Sequence, residues 1–237
     1  MSIIQTAPGL TEQVYQAILD EICDGVLPPG AHLVQEQLAE RFGVSRQPVQ
    51  QALALLKSDG LIQEIGKRGL RVAELDLTLM QHHYAIRAAL DGLAARSAAL
   101  RAKQDPAVAA QIEEAGSAMI ERGLGAVERK DTLEQIRADE AFHKLIYEAS
   151  GNPLLTGTAE VHWRFLRRVM SDVLRRAQPP VSIWSQHAAI LAAVVAGDEQ
   201  LAETRASDHI GIAASALAEA YGASPDSLLA PAESAAS

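Results

Sequence analysis

Residues Leu33–Val72, LVQEQLAERFGVSRQPVQQALALLKSDGLIQEIGKRGLRV, decide how the first part of this chain folds. Leu38, Ala39 and Phe42 mark the inner face of a short helix. Gly43-Val44-Ser45 is a tight turn, and Ser45 stands where the next helix needs an N-cap. Pro48 follows in the first turn of that helix, where its missing N–H costs nothing. Val49, Ala52, Leu53 and Leu56 then repeat at helical spacing with one buried face. Two helices joined by a short Gly-containing turn have the shape of a helix-turn-helix. After Gly60 the period changes. Leu61–Ile65 and Leu70–Val72 read as two strands joined by Gly66-Lys67-Arg68-Gly69, a hairpin wing with a basic tip.

The shape alone occurs in proteins that never touch DNA, so charge has to be weighed with it. Between Arg41 and Arg71 there are six cations and two anions, a local balance of +4 on a chain of formal net charge −9. Phosphate attraction is therefore expected from one face and not from the whole protein. Upstream, Val14, Ala17, Ile18, Glu21 and Ile22 give helical spacing over Thr11–Asp24, ended by Gly25. Leu27-Pro28-Pro29-Gly30 is a rigid turn. A winged helix-turn-helix closing near Leu75 follows, so residues 1–75 are expected to form a DNA-binding domain.

The chain has 237 residues, 48% of them apolar and only 4% aromatic. Its single cysteine, Cys23, excludes a disulfide framework within one chain and fits a reducing compartment. MSIIQTAPGL lacks the basic and apolar regions of a signal peptide. No apolar run approaches the ~18 residues of a membrane span. A soluble cytoplasmic protein without a membrane partner is the expectation. Beyond Asp76 or Thr78, either of which can cap the next helix, caps and breakers mark about six helices: 78–102, 106–122 (stopped by Gly123 and Gly125), 127–149, 153–176, 182–196 and 199–221. The fold class is thus mainly α: a winged helix-turn-helix, then an all-helical bundle of about six antiparallel helices over residues 76–222. The small, polar stretch 223–237 reads as a disordered tail.

Four residues of the bundle carry possible chemistry. Asp139 and His143 are at i, i+4 and share a helix face. His187 and His209 lie on the last two helices. Imidazoles and a carboxylate from three helices suit a borderline divalent metal. Spacing cannot show that they meet, and His82, His83 and His162 compete with them.

The two halves together resemble the GntR family of bacterial transcription regulators, in the FadR-like group with a helical effector-binding domain, the FCD domain. The N-terminal likeness rests on Gly25–Gly30, Leu38-Ala39-Glu40, Gly43-Val44-Ser45-Arg46, Pro48-Val49, Ala52-Leu53 and Gly60-Leu61. The C-terminal likeness rests on Asp139-x-x-Phe142-His143, His187-Ala188-Ala189-Ile190 with Gly197-Asp198, and His209-Ile210. It covers about residues 10–221, and six C-terminal helices look more like the VanR-type branch than like the seven-helix founder.

This resemblance implies a regulator, not an enzyme, whose usual habit is repression. It implies that Asp139, His143, His187 and His209 hold a divalent metal, Zn first and Ni or Mn as alternatives, over which a small organic acid binds. A purely structural or sensing metal, and a metalloenzyme with a DNA-binding appendage, are the competing readings. Arg87 matches an Arg that tends to point into the family's effector pocket, with an exposed helix-face Arg as the competing reading; Arg137, Arg164 and Arg168 are weaker candidates, expected on a solvated face. For DNA, the resemblance points to Arg41, Ser45, Arg46, Gln47, Gln50, Lys67, Arg68 and Gly69. A homodimer on a short inverted-repeat operator of double-stranded DNA is implied, because one module contacts few base pairs. The chain departs from the family's Pro-Val-Arg-Glu-Ala-Leu at Pro48-Val49-Gln50-Gln51-Ala52-Leu53. Gln50 replaces a guanine-reading Arg with a side chain suited to adenine.

Overall fold

A computed structural model describes residues 9–66, 69–176 and 182–221, with side chains for all but 172–176 and 182. Two compact units divide the chain: residues up to Leu75 with Arg167–Asp172, and Asp76–Leu166 with the residues from Val173 onward. The expected tail at 223–237 and the Pro179-Pro180 break lie outside the described residues.

In the first unit, α1 (Leu10–Cys23), α2 (Gln35–Phe42) and α3 (Arg46–Ser58) pack around Ile18, Leu19, Leu38, Val49, Leu53 and Leu56. Gly43 ends α2 in the left-handed conformation (φ 64°), and Val44 N–H donates to the Ala39 carbonyl at 3.0 Å. A side chain at that φ would be strained, which is why glycine makes this turn. Ser45 occupies the N-cap of α3 with extended backbone, but its hydroxyl makes no cap hydrogen bond. The expected cap is therefore positional only.

Strands β1 (Ile62–Ile65) and β2 (Gly69–Val72) pair antiparallel, Ile62 opposite Val72 and Ile65 opposite Gly69. The chain before α2 also lies along β2, with Leu33 N–H donating to the Leu70 carbonyl at 2.9 Å and His32 bridging Arg71. Sequence periodicity did not reveal this second neighbour of β2.

The second unit contains α4 (Leu77–Gln104), α5 (Pro106–Glu128), α6 (Thr132–Ala149), α7 (Pro153–Arg176), α8 (Ser182–Val195) and α9 (Glu199–Ala220). Aspartates cap four of them: Asp76, Asp105, Asp131 and Asp198 accept from Leu79, Ala107, Glu134 and Leu201 N–H at 2.9–3.0 Å. Each satisfies an N–H that the helix leaves unpaired.

One boundary differs from expectation. Helix α5 continues through Gly123 and Gly125 to Glu128, and α6 starts at Thr132, not near 127. Gly123 is a contact point, not a breaker: a Cβ there would overlap the Trp184 ring. The chain turns instead at Lys130 (φ 56°), just before the Asp131 cap. Close approach recurs at Gly116, where a Cβ would come within 2.6 Å of Leu191 Cδ1. Small residues let the helices approach closely, while Phe142, Tyr147, Trp163 and Trp184 fill the space between them. Ala94, Ala95, Ala98 and Ala99 on α4 are wholly buried, and α4 packs most extensively against α9.

Candidate metal centre and DNA-reading face

Asp139 and His143 project from α6, His187 from α8 and His209 from α9, and one ligand atom of each lies within 4.8 Å of every other. All four are buried, His187 completely. His187 Nε2 is 3.3 Å from Asp139 Oδ1 and 3.2 Å from His209 Nε2; His143 Nε2 is 4.0 Å from the same Asp139 oxygen. Three Nε2 atoms and one carboxylate oxygen thus converge.

The outer nitrogens explain why the inner ones point there. His143 Nδ1 is 2.5 Å from Asp91 Oδ1, and His209 Nδ1 is 2.8 Å from Gln186 Oε1. Each Nδ1–H donates outward, which places the neutral ring's lone pair on Nε2, facing the cluster. His143 Nε2 itself is buried without a hydrogen-bond partner among the described residues. A buried acceptor without a donor is costly unless something cationic or protic completes it.

Electrostatics favour the ligating forms of Asp139, His187 and His209. Burial would favour the neutral acid at Asp139. The adjacent His187, with the potential of His143 and His209, instead holds its carboxyl below the usual range. Burial lowers His187, and burial together with His187 and His143 holds His209 well below an ordinary histidine. A carboxylate beside imidazoles kept neutral is what a divalent cation requires.

Arg87 is 2% exposed and not on a solvated face. Its Nε and Nη2 donate to Asp91 at 3.3 and 3.2 Å, and its guanidinium lies 3.9 Å from the Trp163 ring centroid. Tyr147 Oη also donates to Asp91, at 2.8 Å. Reading the sequence missed Asp91, Tyr147, Trp163 and Gln186. The signal was there in part, since Arg87 and Asp91, and His143 and Tyr147, are i, i+4 pairs.

The other candidates sit elsewhere. Arg137 is exposed, and Arg164 pairs with Glu160 at 3.6 Å on its own helix. Arg168 is buried, contrary to expectation, because it donates to the Ala73 carbonyl. His83 Nδ1 and His162 Nδ1 lie 2.9 Å apart as a pair of their own, and His82 is exposed.

Of the residues expected to read DNA, Ser45, Arg46, Gln47 and Gln50 are exposed at the start of α3, and Gly69 is half-buried in the wing. Lys67 and Arg68 lie outside the described residues. The local +4 is less bare than sequence arithmetic suggests. Arg41 pairs with Glu21, Arg46 with Glu36 at 2.5 Å, and Lys57 with Glu64 at 2.6 Å. Glu21 and Glu36 come from outside the counted window, since helices bring distant carboxylates alongside. Such exposed pairs are worth about 0–1 kcal/mol and are readily exchanged for phosphates.

Residues 10–72 match the family described as bacterial regulatory proteins, gntR family, and residues 82–211 match the FCD domain. An uncharacterized HTH-type transcriptional regulator in an unstable DNA locus of Streptomyces ambofaciens is 33% identical over 186 residues, 78% of this chain and 75% of that protein. The HTH-type transcriptional repressor RspR of Escherichia coli K12 is 27% identical over 205 residues, 85% of this chain and 86% of that one. The solved structure of E. coli McbR/YncC has a TM-score of 0.73 at 26% identity, covering 90% of this chain and 99% of its own. The Streptomyces ambofaciens and E. coli K12 relatives are named as transcriptional regulators, and with the two family matches they place the chain among regulators and not among metalloenzymes. No helix among the described residues is long and apolar enough to cross a membrane. The winged helix-turn-helix, the helical unit that follows it in the chain and these matches make the chain a member of the GntR family of bacterial transcription regulators, with an FCD domain.

Proposed function

We propose that this regulator is a homodimeric repressor whose operator affinity is set by a small organic acid held over a divalent metal in the bundle. The observation that carries the reading is the buried convergence of Asp139 Oδ1 with Nε2 of His143, His187 and His209. Separations of 3.2, 3.3 and 4.0 Å, with all four atoms within 4.8 Å of one another, are short enough for one divalent cation to be held by all four residues. Three imidazoles suit Zn, with Ni as an alternative; Mn, the other alternative, would lean on the Asp139 carboxylate and on added oxygen donors. When bound, the cation supplies positive charge and open positions for carboxylate oxygens. Arg87 adds a guanidinium beside the cluster. Arg137 and Arg164, facing solvent and Glu160, have no comparable support.

Dimerisation is supported by α4. Leu79, Ile86, Leu93 and Leu100 are 37–47% exposed and seven residues apart, an apolar heptad stripe of the kind that packs against another helix. On DNA, Arg46, Gln47 and Gln50 at the N-terminus of α3 would meet base edges, with Arg41, Ser45, Gly69, Lys67 and Arg68 near phosphates or the minor groove. Repression is supported by the likeness to RspR, itself named a transcriptional repressor.

The test combines metal analysis of the purified protein with thermal-shift screening of the metal-loaded form against small carboxylates and sugar acids. Operator-binding assays follow on any hit. Stoichiometric metal, and an acid that shifts both melting and DNA affinity, are expected. Protein without metal, or metal-loaded protein that no acid affects, refutes the liganded-metal mechanism.

A further inference from the structure

We propose that Asp91 is a positioning residue for the metal centre, holding His143 with its Nε2 lone pair aimed at the cluster. This rests on the metal reading above but concerns a residue outside the ligand set. Asp91 is 2% exposed on α4, and four donor hydrogens reach it. Oδ1 accepts from His143 Nδ1 at 2.5 Å and Arg87 Nη2 at 3.2 Å; Oδ2 accepts from Tyr147 Oη at 2.8 Å and Arg87 Nε at 3.3 Å. A carboxylate offers about four lone-pair sites, and all four are used. Asp91 therefore has none to give a cation. That separates it from Asp139, whose oxygen faces three imidazoles.

Arg87 explains how an anion can be kept there. An unpaired buried carboxylate would be prohibitively costly, and the Arg87 fork neutralises it. Trp163 fixes the guanidinium from its other side. The chain of contact runs Trp163, Arg87, Asp91, His143, cluster. Arg87 is thus committed first to Asp91.

The three imidazoles are graded by what holds their outer nitrogens. His143 has a carboxylate, His209 has the neutral Gln186 amide, and His187 Nδ1 is buried without a hydrogen-bond partner among the described residues. A carboxylate partner fixes tautomer and raises the basicity of the ligating nitrogen most. His143 is then the anchoring donor of the set.

The experiment uses full-length protein with 15N-labelled histidine. Long-range 1H–15N spectra of the metal-free form at pH 8 read the His143 tautomer directly, and competition titration with a chromophoric chelator reads Zn affinity. In the unmodified protein His143 should carry its proton on Nδ1. Finding it on Nε2 overturns the proposal without any variant. Asp91→Asn should weaken Zn binding about 10–100-fold, and Gln186→Leu by less. Asp91→Asn strands the Arg87 charge, so Arg87→Met/Asp91→Leu removes both charges together and keeps the test open if the single variant does not fold. In the double variant the proton should redistribute toward Nε2. Zn affinity within twofold of the unmodified protein, with the tautomer unchanged, refutes Asp91's role. Absence of Zn binding by the unmodified protein refutes the metal reading instead, and the tautomer spectra still decide what Asp91 does.

Discussion

Substituting Gly123 by alanine sets helix propensity directly against packing. Within a helix, Gly→Ala should stabilise by about 0.5–1 kcal/mol, since glycine carries the larger backbone entropy loss. At Gly123 the added methyl would occupy the space of the Trp184 ring, which is itself 4% exposed and has no solvent to move into. Overpacking of this kind costs about 1–3 kcal/mol. Gly211 on α9 is the control, because a Cβ there meets nothing within 4 Å. The two variants should therefore differ by about 1–3 kcal/mol, with Gly211→Ala above the unmodified protein and Gly123→Ala below it. For a unit of this size, 1 kcal/mol is roughly 2–4 °C in Tm. Thermal unfolding followed by circular dichroism and tryptophan fluorescence, at fixed metal content, measures both. Trp184 also lies edge-on to His187, with ring centroids 5.0 Å apart. Its displacement should weaken metal binding in Gly123→Ala and leave Gly211→Ala unaffected. A Gly123→Ala protein as stable as Gly211→Ala would refute the reading of Gly123 as a contact point.

Chelation should lower the melting temperature of metal-loaded protein, since free metal at 100 times Kd contributes about 2.7 kcal/mol; in His187→Ala the chelator should change nothing, and an undiminished response there would exclude His187 from the site. Burial, with His162 and His82 nearby, lowers His83 from 6.5 to about 4. The folded state therefore binds fewer protons than the unfolded one. Its contribution should be complete above pH 6.5 and fade as pH falls toward 4, so denaturation at pH 7 and pH 5 should show a smaller loss in His83→Gln than in the unmodified protein. Leu93→Glu places a charge in the α4 stripe and should yield monomer by light scattering, whereas an intact dimer would assign the interface elsewhere. Gln50→Arg should shift selection from a random operator library toward guanine at one position. Recovery of the same site by both proteins would remove Gln50 from the reading set.

The sequence by itself determined what depends on neighbours within a few residues. The Gly43 turn, the Asp76 cap and the apolar spacing of α3 are set by hydrogen bonds and contacts within about four positions, and the wing hairpin by pairs no more than ten apart. Family likeness at Asp139, His143, His187 and His209 named the site, and the i, i+4 pair set half of its geometry. Only the tertiary structure brought α8 and α9 to that pair. It also showed that Gly123 accommodates Trp184 and that Glu21 and Glu36 offset the basic face. It committed Arg87 to a carboxylate, Asp91, that no motif marked. For α8, α9, Trp184, Glu21 and Glu36 the deciding partner stands ten or more positions away along the chain, where local spacing carries no information; Arg87 and Asp91 are an i, i+4 pair, but their burial against Trp163 and His143 is decided by packing.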